Sequence, residues 1–211
     1  FKGLVSVMGM KGIRGQKTPP PVVLETRQRV LFMQRILGQY YAKKNYAVSR
    51  ECGIPTLLED TDGTIRERIG NPQRADFIAI NKKRTEVVIV ETKSGPADFL
   101  SDDKWHDYFR NCTKFYFAAD ASTAEYIRAA IANDETAPYV GIIVLPESPD
   151  LSKHKLVPRF LKSCRKRPLG VSVEELLWRM AARNSGYTWT GELESGNAFE
   201  HREVVTLDNG L

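Results

Sequence analysis

Two short apolar runs on either side of a polar turn constrain this chain more than any other feature. Arg74-Ala75-Asp76-Phe77-Ile78-Ala79-Ile80 precedes, and Glu86-Val87-Val88-Ile89-Val90-Glu91-Thr92-Lys93 follows, the turn at Asn81-Lys82-Lys83-Arg84. The runs read as strands over 75–80 and 85–92, joined as a hairpin. Residues two apart on a strand share a face, so Glu91 and Lys93 point the same way. A two-residue turn centred on Lys82-Lys83 sets Asp76 opposite Ile89, and shifting the turn by one residue sets it opposite Glu91. In both registers Asp76, Glu91 and Lys93 lie on one face. A three-residue turn would separate them.

That face holds two acids and a lysine at the end of an otherwise apolar strand pair. Burying charge in a sheet is costly unless the groups are paired or bind a metal. Two neighbouring carboxylates repel, and a divalent cation relieves the repulsion. All-oxygen ligation suits Mg²⁺ or Mn²⁺. Such an ion lowers the pKa of bound water and clamps a phosphate, while a lysine stabilises the charge that develops there. An isolated Glu-x-Lys carries little weight, since a surface pair of this kind contributes almost nothing. Here the acid-bearing strand stands at hairpin distance and the strand before Glu91 has a buried composition.

Around this hairpin the periodicity predicts a helix over 22–44, a strand over 46–50 and a loop or irregular hairpin over 55–73. A helix opened by Pro96 is expected to run to about Cys112. Its Trp105, Tyr108, Phe109 and Cys112 follow i, i+3, i+4, i+7, which reads as a core stripe. A strand over 114–119 follows, then a helix to about Asn133 capped by Ser122 with Glu125. The last clear strand is expected over 139–145, and Ser172 with Glu175 opens a final helix to about Arg183. Residues 87–90 and 142–145 show little alternation, as in strands covered on both faces. The order predicts an α/β sandwich around a mixed sheet, as one domain over 22–185. Residues 1–21 are expected to be a flexible basic tail and 186–211 an irregular acidic one.

Charge is local. Lys2, Lys11, Arg14 and Lys17 account for all but about +1 of the net +5. Lys153, Lys155, Arg159, Lys162, Arg165, Lys166 and Arg167 form a second block without an acid. Such patches suit a phosphate backbone, although a charge run is more often a solvated face. Cys52, Cys112 and Cys164 have neither zinc spacing nor an even disulfide framework, so a reducing, cytoplasmic setting is expected. No apolar run approaches bilayer length, and the opening residues have no secretory character. His106 has no histidine partner at metal-ligand spacing, which disfavours a histidine-metal site.

Asp76 followed by Glu91-Thr92-Lys93 at the end of a hairpin resembles the PD-(D/E)xK nuclease superfamily. More narrowly, 74–119 resembles the MmcB-like DNA repair protein family. The residues that carry this are Arg74-Ala75-Asp76, Val90-Glu91-Thr92-Lys93-Ser94, Ala97-Asp98-Phe99, Asp102/Asp103-Lys104-Trp105, Asp107-Tyr108, Cys112 and Phe115-Tyr116-Phe117-Ala118. The resemblance implies a restriction-endonuclease-like α/β/α sandwich and metal-dependent hydrolysis of DNA. Asp76 and Glu91 would hold the metal, the Thr92 carbonyl is a further candidate ligand, and Lys93 would stand beside the water. Superfamily members often add an acid from the first helix; Glu25 and Glu51 are the two candidates. Arg74, Lys104, Lys162, Arg165, Lys166 and Arg167 are candidate phosphate contacts. DNA is the expected partner, with a homodimer as one arrangement that would cut two strands. A catalytically inactive DNA-binding repair module on the same fold is the alternative, and a basic segment that binds an acidic protein is a third.

Overall fold

The computed structural model describes residues 25–59, 65–67, 73–146 and 157–185. Both expected tails, His154, His201, and Asp60 and Asp62 of the 55–73 segment lie outside them. Helix α1 (Thr26–Ala42) leads into strand β1 (Tyr46–Ile54). Two short strands, β2 (Leu57–Glu59) and β3 (Ile65–Glu67), pair with each other within the 55–73 segment. The hairpin β4 (Gln73–Asn81) and β5 (Val87–Thr92) follows, then helix α2 (Pro96–Leu100) and a 3-10 helix over Trp105–Asn111. Strand β6 (Lys114–Ala119), helix α3 (Ala121–Ala130), strands β7 (Val140–Val144) and β8 (Arg159–Lys162), and helix α4 (Val173–Asn184) complete the order.

Six strands form one mixed sheet in the order β1-β4-β5-β6-β7-β8. The β5–β6 and β6–β7 pairs are parallel and the other three are antiparallel. Alternation along the strands builds two cores. Met33, Ile36, Leu37 and Tyr41 of α1 pack on Phe77, Ala79, Val88 and Val90. Ile78, Ile80, Val87 and Ile89 face the other way, against Phe99, Trp105, Phe109, Ile127, Leu176 and Met180. Every residue of β5 is buried, as expected of a strand covered on both faces. The molecule is thus a mixed sheet flanked by helices, compatible with an α/β/α sandwich.

The β4–β5 register pairs Ile80 with Val87 and Phe77 with Val90. This is the second of the two expected registers, with the turn centred one residue later. Four residues, 82–85, close the loop, and the even number preserves the facing of the strands. Asn81 organises it: its side-chain oxygen accepts the N–H groups of Thr85 (2.9 Å) and Glu86 (3.0 Å), and Arg84 takes a left-handed φ of 56°.

Three expectations need correction. The helix expected from Pro96 to Cys112 is broken over 101–104. There the Asp102 carboxylate accepts the Lys104 N–H (3.1 Å) and the Ser101 hydroxyl donates to the Asp98 carbonyl (3.0 Å). Short polar side chains that bond nearby backbone compete with helix. Helix α3 is capped two residues earlier than expected, by Asp120, whose carboxylate accepts the Thr123 N–H and both the Ser122 and Thr123 hydroxyls. The strand over 140–144 is not the last: β8 forms inside the basic block, as a short charged edge that blunts further pairing.

Candidate active site

Asp76 and Glu91 meet where the β4–β5 ladder ends. One step beyond the Phe77–Val90 pair sets them opposite each other, and each carboxylate takes over a backbone bond of the other strand. Asp76 Oδ2 accepts the Thr92 N–H at 2.8 Å, and Glu91 Oε1 accepts the Asp76 N–H at 3.2 Å. The strands diverge here because β5 turns to its parallel neighbour, with Lys93 N–H donating to the Ala118 carbonyl at 2.8 Å. The side chains therefore bridge a gap that backbone groups have left.

The same step is irregular on the other side of β4. Glu51 of β1, between the Arg50–Phe77 and Cys52–Ala75 pairs, has φ 51°. Ala75 and Cys52 pack in the core opposite to that of Phe77, so the alternation breaks at Asp76. Non-glycine residues with left-handed φ are costly and cluster at functional sites. Glu51 itself is ion-paired to Arg74 at 2.7 Å, and its charge helps to raise the Asp76 pKa.

Glu91, Thr92 and Lys93 are each 5% exposed. The Lys93 ammonium donates to Asp102 Oδ2 and lies 5.8 Å from the Phe117 ring centroid. Asp102 sits in the break between α2 and the 3-10 helix, so the interrupted helix delivers the partner of Lys93. Just beyond, Asp98 Oδ2 accepts both the N–H and the hydroxyl of Ser94 at 2.8 Å, fixing the chain as it leaves β5. Arg29 of α1 donates to the Ser94 carbonyl at 2.6 Å from the other side. Tyr108 donates to the Arg74 carbonyl at 3.1 Å, with its ring in the core. Its hydroxyl is held above the usual phenol range by burial and by the charges of Glu91, Asp102 and Asp76.

Burial dominates the electrostatics of the two acids. It pushes Asp76 up to about 6, with Glu51 adding to the rise and the Thr92 N–H and Lys93 opposing it. It raises Glu91 well above the carboxylate range, followed by the charge of Asp76, with the Asp76 N–H and Lys93 opposing. Two facing carboxylates, both raised by burial and with Asp76 raising Glu91 further, form a site a cation would stabilise. Each has one oxygen committed to a backbone N–H. Among the described residues no cluster of three or more Asp, Glu, His or Cys has metal-binding geometry. A magnesium-sized ion that keeps several waters fits such a two-carboxylate set.

Of the other expected residues, Glu25 caps α1 on the opposite face of the sheet, where its N–H donates to the Gln28 side chain. Arg74 and Lys104 are exposed near the acids. The basic block is elsewhere. Lys162 donates to the carbonyls of Ala137 and Val140, and the Arg167 guanidinium stacks over Phe109 (4.5 Å) and Tyr139 (4.7 Å). The N–H groups of Arg165 and Arg167 donate to Pro138 and to Thr113, at the start of β6. Thr113 also bonds Val87, and Lys93 is six residues beyond Val87, roughly 20 Å at about 3.3 Å per residue. Lys162, Arg165, Lys166 and Arg167 therefore gather at the end of the sheet away from the acids. Sequence reasoning missed the Asp102 partnership, the Asp98 brace, Arg29 and the Tyr108 hydroxyl. The two acids stood in the quoted motif, but an uninterrupted helix hid their direction.

No curated protein matches the chain. Among solved structures, the SPO1766 protein of unknown function from Silicibacter pomeroyi aligns with TM-score 0.50 at 17% identity, over 76% of this chain and 87% of that one. That likeness concerns the fold alone. Residues 42–144, from the end of α1 through β7, match the family model described as DNA repair protein MmcB-like, so the segment that carries Asp76, Glu91 and Lys93 is similar to a DNA repair family.

Proposed function

We propose that the chain is a metal-dependent nuclease of the PD-(D/E)xK type, hydrolysing DNA phosphodiester bonds in repair or processing. The observation that supports this most is the cross-bonded pair of half-buried Asp76 and buried Glu91, beside buried Lys93 where β4 and β5 part. Mg²⁺ or Mn²⁺, held by Asp76 and Glu91 with the Thr92 carbonyl as a further ligand, would supply an activated water and a clamp on the phosphate. The backbone bonds to each carboxylate fix its orientation. Lys93, held by Asp102, presents positive charge where the phosphate's negative charge grows and orients the attacking water. Arg74 and Lys104, exposed at the rim, are suited to phosphates on either side of the scissile one.

A second reading, a DNA-binding repair module without catalysis, draws on the ion pair itself: Lys93 is already neutralised by Asp102. The separating experiment is a cleavage panel of labelled duplex, single-stranded, flapped and four-way DNA with Mg²⁺, Mn²⁺ or EDTA. The nuclease reading expects metal-dependent products from the wild type and none from Lys93→Ala. Binding by both proteins with no product from either would select the inactive module. No described helix is long and apolar enough to cross a membrane. Dimer formation, which paired strand cuts would need, is read from sedimentation in the presence of DNA.

A further inference from the structure

Helix α1 packs chiefly on β1, β4 and β5, and meets β6–β8 through fewer side chains. Between the last turn of α1 and these strands lies a cleft of about 380 Å³, within the range of small-molecule sites. Tyr40, Tyr41, Lys44, Tyr46, Glu86, Lys114, Tyr116 and Phe160 line it. The aromatic rings form a connected wall. Tyr40 meets Phe160 at 5.7 Å and Tyr41 at 5.2 Å, Tyr41 meets Tyr46 at 5.2 Å, and Tyr116 meets Phe160 at 5.6 Å. Gly141 makes room for it: a Cβ there would stand 2.2 Å from the Tyr116 ring. Phe160, on the edge strand, is 37% exposed although it is a large apolar ring.

The charges around this wall are unbalanced. Glu86 is the acid of the lining, and it already accepts from Tyr46 (2.7 Å) and Lys114 (2.8 Å). Lys44 sits 4.5 Å over the Tyr40 ring and has no carboxylate partner among the described residues. Lys43 is exposed beside it, and Lys166 is exposed and near enough to Glu86 to lower its pKa. An aromatic platform rimmed by exposed lysines matches the chemistry of a nucleobase with its phosphates. A neutral apolar ligand would leave the lysines unused, and a simple anion would leave the rings unused.

We infer that this cleft binds single-stranded nucleic acid, stacking a base on Phe160 and Tyr40 and seating the adjoining phosphates on Lys44, Lys43 and Lys166. The inference does not need the carboxylate pair to be catalytic, because the two sites lie at different ends and on different faces of the sheet. The test is fluorescence anisotropy of a labelled short oligothymidine with the full chain in EDTA, at low salt, where no metal-dependent cleavage can occur. Phe160→Ala and Lys44→Glu are each expected to weaken binding about tenfold, the order of one lost base stack. Lys44 is exposed, so its variant is expected to keep the fold, and circular dichroism checks both. Unchanged affinity in both variants would overturn the inference. Thymidine monophosphate is expected to compete only weakly; competition as strong as that of the oligonucleotide would overturn the assignment to a strand. Loss of cleavage in the separate metal assay, with this binding intact, would remove the nuclease reading and leave the cleft standing.

Discussion

At the end of β5 that carries Glu91, charged groups are buried and tied to one another: Asp76 to the Thr92 backbone, Glu91 to the Asp76 backbone, Lys93 to Asp102. At the other end the basic groups are more numerous but shallower. Arg84 meets Glu174 at 3.2 Å with both side chains more than half exposed, Lys114 meets Glu86, and Arg167 rests on two rings. Exposed pairs contribute little, whereas a buried charge without its partner costs several kcal/mol. Charge density along the sequence therefore points to one end of the sheet, and depth of burial to the other, the end of the proposed site.

The largest expected difference between the ends is in catalysis. Asp76→Ala and Lys93→Ala are each expected to lower initial cleavage rates by a factor on the order of 10²–10³. Arg165→Ala, at the other end, is expected to stay within about twofold under the same assay. A comparable loss in Arg165→Ala would break the contrast.

Stability separates the ends next. Asp102→Ala leaves the Lys93 ammonium buried without its counter-charge, and urea denaturation is expected to show a loss of about 3 kcal/mol. Arg84→Ala breaks an ion pair of similar form in solvent, with an expected change below about 0.5 kcal/mol. Equal losses would mean that Lys93 is more solvated than its 5% exposure implies.

The pH response follows from the raised acids. A carboxyl whose folded pKa lies above its unfolded value holds more protons in the native state. Metal-free stability should therefore fall as pH rises from about 4 to about 6, the interval between the ordinary and the raised value for Asp76, and the raised Glu91 carries the fall on above it. The drop is expected to reach about 2–3 kcal/mol, since each pKa unit corresponds to about 1.4 kcal/mol. Asp76→Asn should flatten that slope in thermal melts run across the interval. A rise in stability over the same interval would contradict the burial argument.

The smallest effect sharpens the other end. Gly141→Ala places a methyl against the Tyr116 ring and is expected to cost about 1–2 kcal/mol in denaturation. Its pH slope should match that of the wild type, since the acids are remote.

Much of this was legible before any coordinates. The hairpin and the register that sets Asp76 opposite Glu91 were among the expectations, since strand periodicity is a local property, while the loop is four residues long where two were expected. The core stripe of Trp105, Tyr108, Phe109 and Cys112, all buried, was legible in the same way. The break over 101–104 was not, because the helical spacing of the apolar residues continues across it while Ser101 and Asp102 bond the backbone instead. The Lys93–Asp102 pair depends on that break. Placing the basic block required the strand order, since β8 lies three strands from β5 and only the order shows which end of the sheet residues 162–167 reach. The left-handed Glu51 opposite Asp76 has no signal in a sequence where a glycine would have been the usual marker.

The central claim is that the cross-bonded pair Asp76–Glu91 is held for a divalent cation. Isothermal titration of Mn²⁺ into the protein near neutral pH, in two buffers of different ionisation heat, tests it most directly. The account predicts saturable binding with release of protons from the raised carboxyls, and loss of that binding in Asp76→Asn. Binding of the same strength in wild type and Asp76→Asn, or no saturable binding in either, would contradict it.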